Sequence, residues 1–474
     1  MNTYRSLNSI KNAIKAGETT CLNLVEFYIQ NIENNKTLNA FAEVFTEEAI
    51  KNAKEIDAKI ANGNAGKLAG MVIGIKDNIC YKNHKSAAAS KILEGFESLY
   101  SATVVERLLD EDAIIIGRLN CDEFAMGSAN ENTIYGATKN PLDNTKVTGG
   151  SSGGAASAVA ANLCLATLGS DTGGSIRQPA SFCGTIGFKP TYSRVSRFGL
   201  IAFASSFDQI GPITNTVEDA AIILEIIAGE DDFDSTVSTK KTDKYTYLLE
   251  DKSTKRIAYF PEFFENEGLD GEIKSTIESQ IQTLKNNGHI VERVSFPYLN
   301  YLVPTYYVIS TAEASSNLAR FDGVHYGFRS SNANSPESTY TKTRTEGFGK
   351  EVQRRIMLGT FVLSAGYHDA YYTKAQKMRR LIQDKTNKIL KDYDFILSPT
   401  TPHTAFNLGL EHKDPIVMYL EDIFTVLANL SGNPAISLPL ARHSNGMPFG
   451  TQLMAKPFHE ADLLAFSHNL INSL

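Results

Sequence analysis

Two glycine-rich segments follow one another closely in this chain: TGGSSGGAAS, from Thr148, and GSDTGGSIRQPASFCG, from Gly169. Both hold too much glycine for a strand interior, yet ordered text surrounds them. An alanine-rich helix is expected over residues 155–163 and an apolar strand over residues 164–168. A flexible linker, which glycine and serine otherwise suggest, does not sit so tightly between core elements. The G-x-x-x-x-G-K-[ST] pattern of a phosphate-cradling loop is absent, and G-x-G-x-x-G fails on spacing. What remains is a backbone held open so that successive N–H groups point at one small negative charge. Acyl transfer needs that arrangement, because its tetrahedral intermediate carries an oxyanion and each preorganised donor is worth roughly 3 kcal/mol. Thr172, Gly173, Gly174 and Ser175 are the candidate oxyanion donors, and Ser175 is the candidate nucleophile.

A serine nucleophile needs a base. The chain has 9 histidines, so a Ser-His-Asp triad stays open on composition. His84, His289 and His403 read as loop or turn residues, and no histidine occupies a comparable glycine-rich or strand-end context. Lysine is the known alternative. Lys76 is the best placed, at the point where the apolar run Met71–Ile75 breaks into charge. To act near neutral pH its amine must fall from about 10.4 to about 7, roughly 4 kcal/mol against the ammonium form. Burial among hydroxyls would supply this, provided the neighbouring Asp77 points elsewhere.

With 474 residues the chain suits one large α/β unit or two packed lobes. Apolar residues recur at helical spacing at Leu22, Val25, Tyr28, Ile29 and Ile32, and again at Ala49, Ile50, Ala53, Ile56 and Ile60. A strand at residues 71–75, a helix over residues 103–109 and a strand over residues 113–116 then follow. This order predicts an α/β fold with a large mixed, mostly parallel central sheet covered by helices on both faces. Within a single domain, residues 1–65 read as N-terminal helices and residues 66–230 as the core with the candidate site. Residues 231–390 read as a polar connection and a second lobe, and residues 391–474 as a return to the core. The polar stretch 329–347 is expected to be an exposed loop, with a lid as the alternative. Asp231, Asp232 and Asp234 read as solvated turn carboxylates rather than a cation site.

The formal net charge of −7 argues against a surface that grips nucleic acid unaided. Five cysteines, never spaced C-x-x-C, fit reduced thiols in a cytoplasmic enzyme. No signal peptide and no run of about 18 apolar residues is found, so no membrane span is expected.

Lys76 in KDNI, Ser151 in GGSSGG and Ser175 in GSDTGGSIRQPASFCG resemble the three catalytic positions of the amidase signature family. The resemblance implies that family's fold and a Ser-Ser-Lys triad. Ser175 would attack the amide, Ser151 on a cis peptide would relay the proton, and Lys76 would be the terminal base. PTYSRVSRFGLIAFASSFDQIGPIT, AEASSNLARFDGVHYG, RRIMLGTFVLSAGYHDAYYTKAQ and DIFTVLANLSGNPAISLPL extend the likeness to one branch, the glutaminase subunits of tRNA-dependent amidotransferases, over almost the whole chain. That branch implies glutamine as substrate and ammonia passed to a partner in a heterotrimer with B and C subunits. It also implies misacylated Glu-tRNA(Gln) held mainly by the partner, and ATP and Mg2+ used there, with no cofactor or metal in this chain. By position in the branch motifs, Arg355 and Asp422 would bind the α-carboxylate and α-ammonium of glutamine; the planar fork of arginine suits the former. Tyr306 would line the same pocket, with Met126 and Gly127 as backbone neighbours. Val72 stands where the family commonly has proline, Gly74 where alanine is usual and Ala155 where serine is frequent. A stand-alone amidase acting on another small amide is the alternative.

Overall fold

Runs of isoleucine, valine and alanine, bounded by glycine and charge, form the strands of this protein, as expected of short apolar stretches rich in β-branched residues. The structure, a computed structural model, describes residues 4–251, 253–410 and 415–472, with residues 415–417 described by their backbone alone. In chain order the strands are β1 (Phe41–Val44), β2 (Val72–Lys76), β3 (Ile114–Leu119), β4 (Lys139–Asn140), β5 (Asp143–Val147), β6 (Ala166–Asp171) and β7 (Ile186–Lys189). They continue with β8 (Gln209–Thr214), β9 (Arg256–Tyr259), β10 (Ile290–Arg293), β11 (Phe395–Pro399), β12 (Ala435–Arg442) and β13 (Pro448–Ala455). Strands β4 and β5 pair by themselves, while the others form an 11-stranded sheet in the order β1-β3-β2-β6-β8-β7-β12-β13-β11-β9-β10.

The large mixed α/β sheet is as expected, but the parallel share is smaller than the sequence suggested. Only β3–β2, β2–β6, β11–β9 and β9–β10 pair in parallel. The other neighbours, β1–β3, β6–β8, β8–β7, β7–β12, β12–β13 and β13–β11, are antiparallel. Parallel pairing survives where a helix makes the crossover, as Thr103–Asp110 does between β2 and β3 and Gly271–Asn286 between β9 and β10. The run of antiparallel neighbours arises where β7 returns to β8 without a helix and β12 turns directly into β13. Strands β2, β3, β6, β8, β11 and β13 are buried along their whole length, so both faces of the sheet are covered.

The two amphipathic runs near the N-terminus are the helices Cys21–Asn34 and Thr46–Ala61, and β1 lies unforeseen between them. The stretch 329–347 is not a plain loop, because its second half is the helix Pro336–Gly347. Ser335 and Ser338 close its N-terminus reciprocally, with proline in the first turn, and these capping signals outweigh the polar composition. The Asp231 and Asp234 carboxylates are structural rather than simply solvated. Asp231 accepts from the Ser196 and Thr103 hydroxyls, and Asp234 from the Arg197 N–H at 2.9 Å. All five cysteines are buried and unpaired. Among the described residues, no helix is long and apolar enough to cross a membrane.

Candidate active site

The candidate residues meet at the carboxyl ends of the parallel neighbours β2 and β6. Ile75 is in register with Leu168, so Lys76 emerges beside the Gly169–Ser170 end of β6. Crevices at such strand ends are where open α/β sheets bind ligands. Ser151 lies two residues before the helix Gly153–Ala160, and Ser175 two residues before the helix Arg177–Cys183. The Gly150–Ser151 peptide is cis. The Ser152 N–H donates to the Ser175 carbonyl at 3.1 Å and ties the two glycine-rich segments together.

Lys76 is fully buried. Its Nζ lies 2.7 Å from Ser151 Oγ, 2.9 Å from Ser152 Oγ and 3.0 Å from Ser170 Oγ. Among the described residues it forms no ion pair. Burial pushes the amine down to about 8, while the more distant Asp122, Asp171 and Asp208 pull the other way. Asp77 does turn away: its carboxylate accepts from Arg118, from Tyr135 Oη at 3.0 Å and from the Ala89 N–H at 2.7 Å.

The loop that carries Ser175 is held from below by Asp171 and Arg177, a fully buried bidentate ion pair with both N···O distances at 3.0 Å. The remaining Arg177 donors reach the Thr425 carbonyl, Gln452 Oε1 and Asn429 Oδ1. Asp171 also accepts the Gly174 N–H at 3.0 Å and the Ile176 N–H at 3.2 Å. Gly174 is therefore not an oxyanion donor, contrary to the sequence reading, because its N–H is spent on positioning the loop. The N–H groups of Thr172, Gly173 and Ser175 have no acceptor among the described residues. Neither does the Ser175 hydroxyl take part in a hydrogen bond there, with the residue 7% exposed. A Cβ on Gly173 would sit 2.6 Å from Tyr306 Oη, so this backbone approaches Tyr306 directly. Gly174 has φ +137°, a conformation that only glycine adopts readily.

Arg355 and Asp422 converge on either side of Tyr307. The Arg355 guanidinium lies 5.2 Å from the centroid of the Tyr307 ring, whose hydroxyl donates to Asp422 Oδ2 at 3.0 Å. Ser128 donates to the same carboxylate at 3.3 Å. Burial pushes the Asp422 carboxyl up to about 7, against the hydrogen bond from Tyr307 and the field of Arg355. Burial also works against the Arg355 charge, but Tyr307, Glu351 and Tyr419 hold its pKa above the ordinary value. Tyr306 is buried edge-to-face against Tyr307, with centroids 5.0 Å apart. Met126 points into the main core, and Gly127 packs on the Asp122 carboxylate. The residue of that loop that reaches the pocket is Ser128.

Sequence reading missed Ser152, Ser170, Ser128, Tyr307 and Glu351. Ser152 was legible as the partner of Ser151 in the same motif. Ser128 and Tyr307 carried no local signal, since a serine in a loop and one tyrosine of a pair gain meaning only from what the fold sets opposite them.

A lysine kept among hydroxyls without a counter-ion is suited to proton transfer rather than to structural pairing, and comparison with known families agrees. The Amidase family model matches residues 23–464, and the chain belongs to the amidase family. Within it, the chain is 50% identical to the A subunit of glutamyl-tRNA(Gln) amidotransferase from Staphylococcus saprophyticus, over 97% of this chain and 95% of that protein. It is 50% identical to the protein of the same name from Fusobacterium nucleatum, over 99% and 96% of the two chains. The crystal structure of the A subunit of glutamyl-tRNA(Gln) amidotransferase from Thermotoga maritima, 41% identical, superposes with a TM-score of 0.77 over 94% of this chain and 92% of that one.

Proposed function

We propose that this chain is the glutaminase subunit of a glutamyl-tRNA(Gln) amidotransferase, hydrolysing glutamine through a seryl ester on Ser175. The observation that carries the reading is the pairing of a hydroxyl-bound Lys76 with a buried Arg355–Tyr307–Asp422 array. A general amidase needs only the former. Recognition of free glutamine needs a fixed cation for the carboxylate and a fixed anion for the ammonium, and the array supplies one of each.

Proton accounting supports Lys76 as the base. The Ser152 hydroxyl donates to the Ser170 carbonyl at 3.1 Å, so its oxygen is free to accept from Lys76. Ser170 Oγ accepts from Asn78 Nδ2 at 2.9 Å and lies within reach of the same amine. A neutral amine spends its two N–H groups on these oxygens and leaves its lone pair facing the Ser151 hydroxyl. Ser151 then gives its proton to Lys76 and takes one from Ser175 as that oxygen attacks the amide carbon. The oxyanion is met by the unspent N–H groups of the 172–175 loop. The proton returns through Ser151 to the leaving nitrogen, the C–N bond breaks and ammonia departs. Water attacks the ester along the same relay and releases glutamate.

Ammonia passes to a partner subunit that converts Glu-tRNA(Gln) to Gln-tRNA(Gln), with B and C subunits completing a heterotrimer. The ATP and Mg2+ required to activate the glutamate carboxylate are assigned to the partner, and no cofactor or metal to this chain. The acidic net charge of −7 fits tRNA being held mainly by that partner. Purification with the partner subunits tests this: glutamine hydrolysis that supports amidation of misacylated tRNA is expected. A chain that instead turns over simple amides as well as glutamine, with no effect of tRNA, is a stand-alone amidase.

A further inference from the structure

We propose that Glu351 is the positioning residue that aims Arg355 at the substrate carboxylate, an inference that rests on the glutamine reading above. The two side chains are four residues apart on the helix Lys350–Leu363, the spacing that sets one above the other. Glu351 Oε1 accepts from Arg355 Nε at 2.9 Å and from Tyr419 Oη at 3.1 Å, and the other oxygen pairs with Arg354. Aromatic rings bound the guanidinium as well, with the Tyr307, Tyr419 and Phe203 centroids 5.2, 5.5 and 5.6 Å from Cζ. Tyr307 and Tyr419 are themselves stacked, with centroids 4.0 Å apart.

The side chain is 4% exposed, yet among the described residues Nη1 and Nη2 donate to no acceptor. Neither nitrogen is sealed from solvent as Nε of Arg118 is, so both stay open to an acceptor entering the pocket, and enclosing them there without one would be costly. One edge of the fork is therefore fixed by Glu351, and the other presents two parallel N–H groups, the geometry that matches a carboxylate. Without Glu351 the Nε donor loses its acceptor, and the guanidinium rotates toward Asp422, in whose field it already lies. The cation and anion that should hold opposite ends of glutamine would then hold each other. Glu351 touches no reacting atom and acts through Arg355.

The test compares glutamine with butyramide, an amide without the amino-acid head, on the assembled complex carrying wild-type or Glu351→Ala chain. The expected result is a fall of about tenfold or more in the ratio of kcat/KM for glutamine to that for butyramide, carried by the KM for glutamine. An unchanged ratio overturns the proposal, whether both activities persist or both fall together. Should the alanine variant fail to fold, Glu351→Gln, which keeps the shape and one acceptor oxygen, is read by the same ratio. A fall of about threefold is expected, and no change overturns the proposal. Wild-type complex that does not prefer glutamine to butyramide refutes the glutamine reading itself, a result distinct from either outcome for the variants.

Discussion

Lys76 and Asp77 are neighbours in the chain whose charged ends never meet. The amine of Lys76 lies 2.7 Å from Ser151 Oγ, whereas the Asp77 carboxylate accepts from Arg118 and Tyr135 on the other side of the strand end. Alternation along an extended backbone produces this split, because successive side chains leave opposite faces. A carboxylate at the amine would have raised its pKa and removed the base. Here Arg118 takes that carboxylate, and Lys76 keeps neutral partners, three serine hydroxyls and the Ser170 carbonyl at 3.4 Å.

The anion at Asp422 gives a pH signature for substrate binding. Its carboxyl sits at about 7 through burial, so the charged form that holds an ammonium is present above that value and lost as pH falls through it. The KM for glutamine is expected to rise up to about tenfold per pH unit below about 7 and to be level above it. Asp422→Asn should raise KM on the order of 30-fold or more and abolish that dependence. Steady-state kinetics between about pH 6 and about pH 8 read both effects.

Close approach of Gly173 to Tyr306 makes the loop intolerant of a single methyl group. With a Cβ at 2.6 Å from Tyr306 Oη, Gly173→Ala must displace either the ring or the N–H groups beside Ser175. A shift of about 1 Å costs on the order of 100-fold in rate. The expected result is that loss in kcat/KM for glutamine with a thermal midpoint close to wild type, measured on the same preparation.

The Asp171–Arg177 pair is structural, and its removal should be felt in stability. Arg177→Met leaves the Asp171 carboxylate buried without its counter-ion, a loss of about 3–5 kcal/mol. Combining it with Asp171→Asn removes the orphaned charge and should recover part of the loss. Thermal unfolding of the two variants checks this, with the double variant expected to melt above the single one.

Much of the site was legible in the chain because it is built from local text. Ser175 and its glycines lie in one short segment and Lys76 marks the abrupt end of an apolar run, so nucleophile and base announced themselves through composition and spacing, whereas Ser151 as the relay was legible only by resemblance. Gly174 was read as a donor because nothing in its neighbourhood shows that Asp171, three residues upstream, folds back to accept its N–H at 3.0 Å. The pocket for the amino-acid head was legible only by resemblance. Ser128, Tyr307 and Asp422 are brought together across 294 residues, a relation that no periodicity encodes. The parallel bias expected of the sheet failed for a similar reason. Strand-helix-strand text predicts a crossover, but it does not say which strand the chain will lie beside when it returns.

Transfer of a proton from Ser175 through Ser151 to a neutral Lys76 is tested most directly by single-turnover acylation. The assembled complex is mixed with limiting glutamine, and the first release of ammonia is followed as a function of pH. Because burial lowers the amine to about 8, the neutral base is scarce below that pH and dominant above it. The acylation rate of the wild type should rise about tenfold per unit at low pH and level off above about 8. Lys76→Ala should abolish this first release of ammonia, as Ser175→Ala does, while amidation driven by added ammonia continues in both. A Lys76→Ala complex that still acylates with the same pH profile would contradict the assignment of this amine as the base.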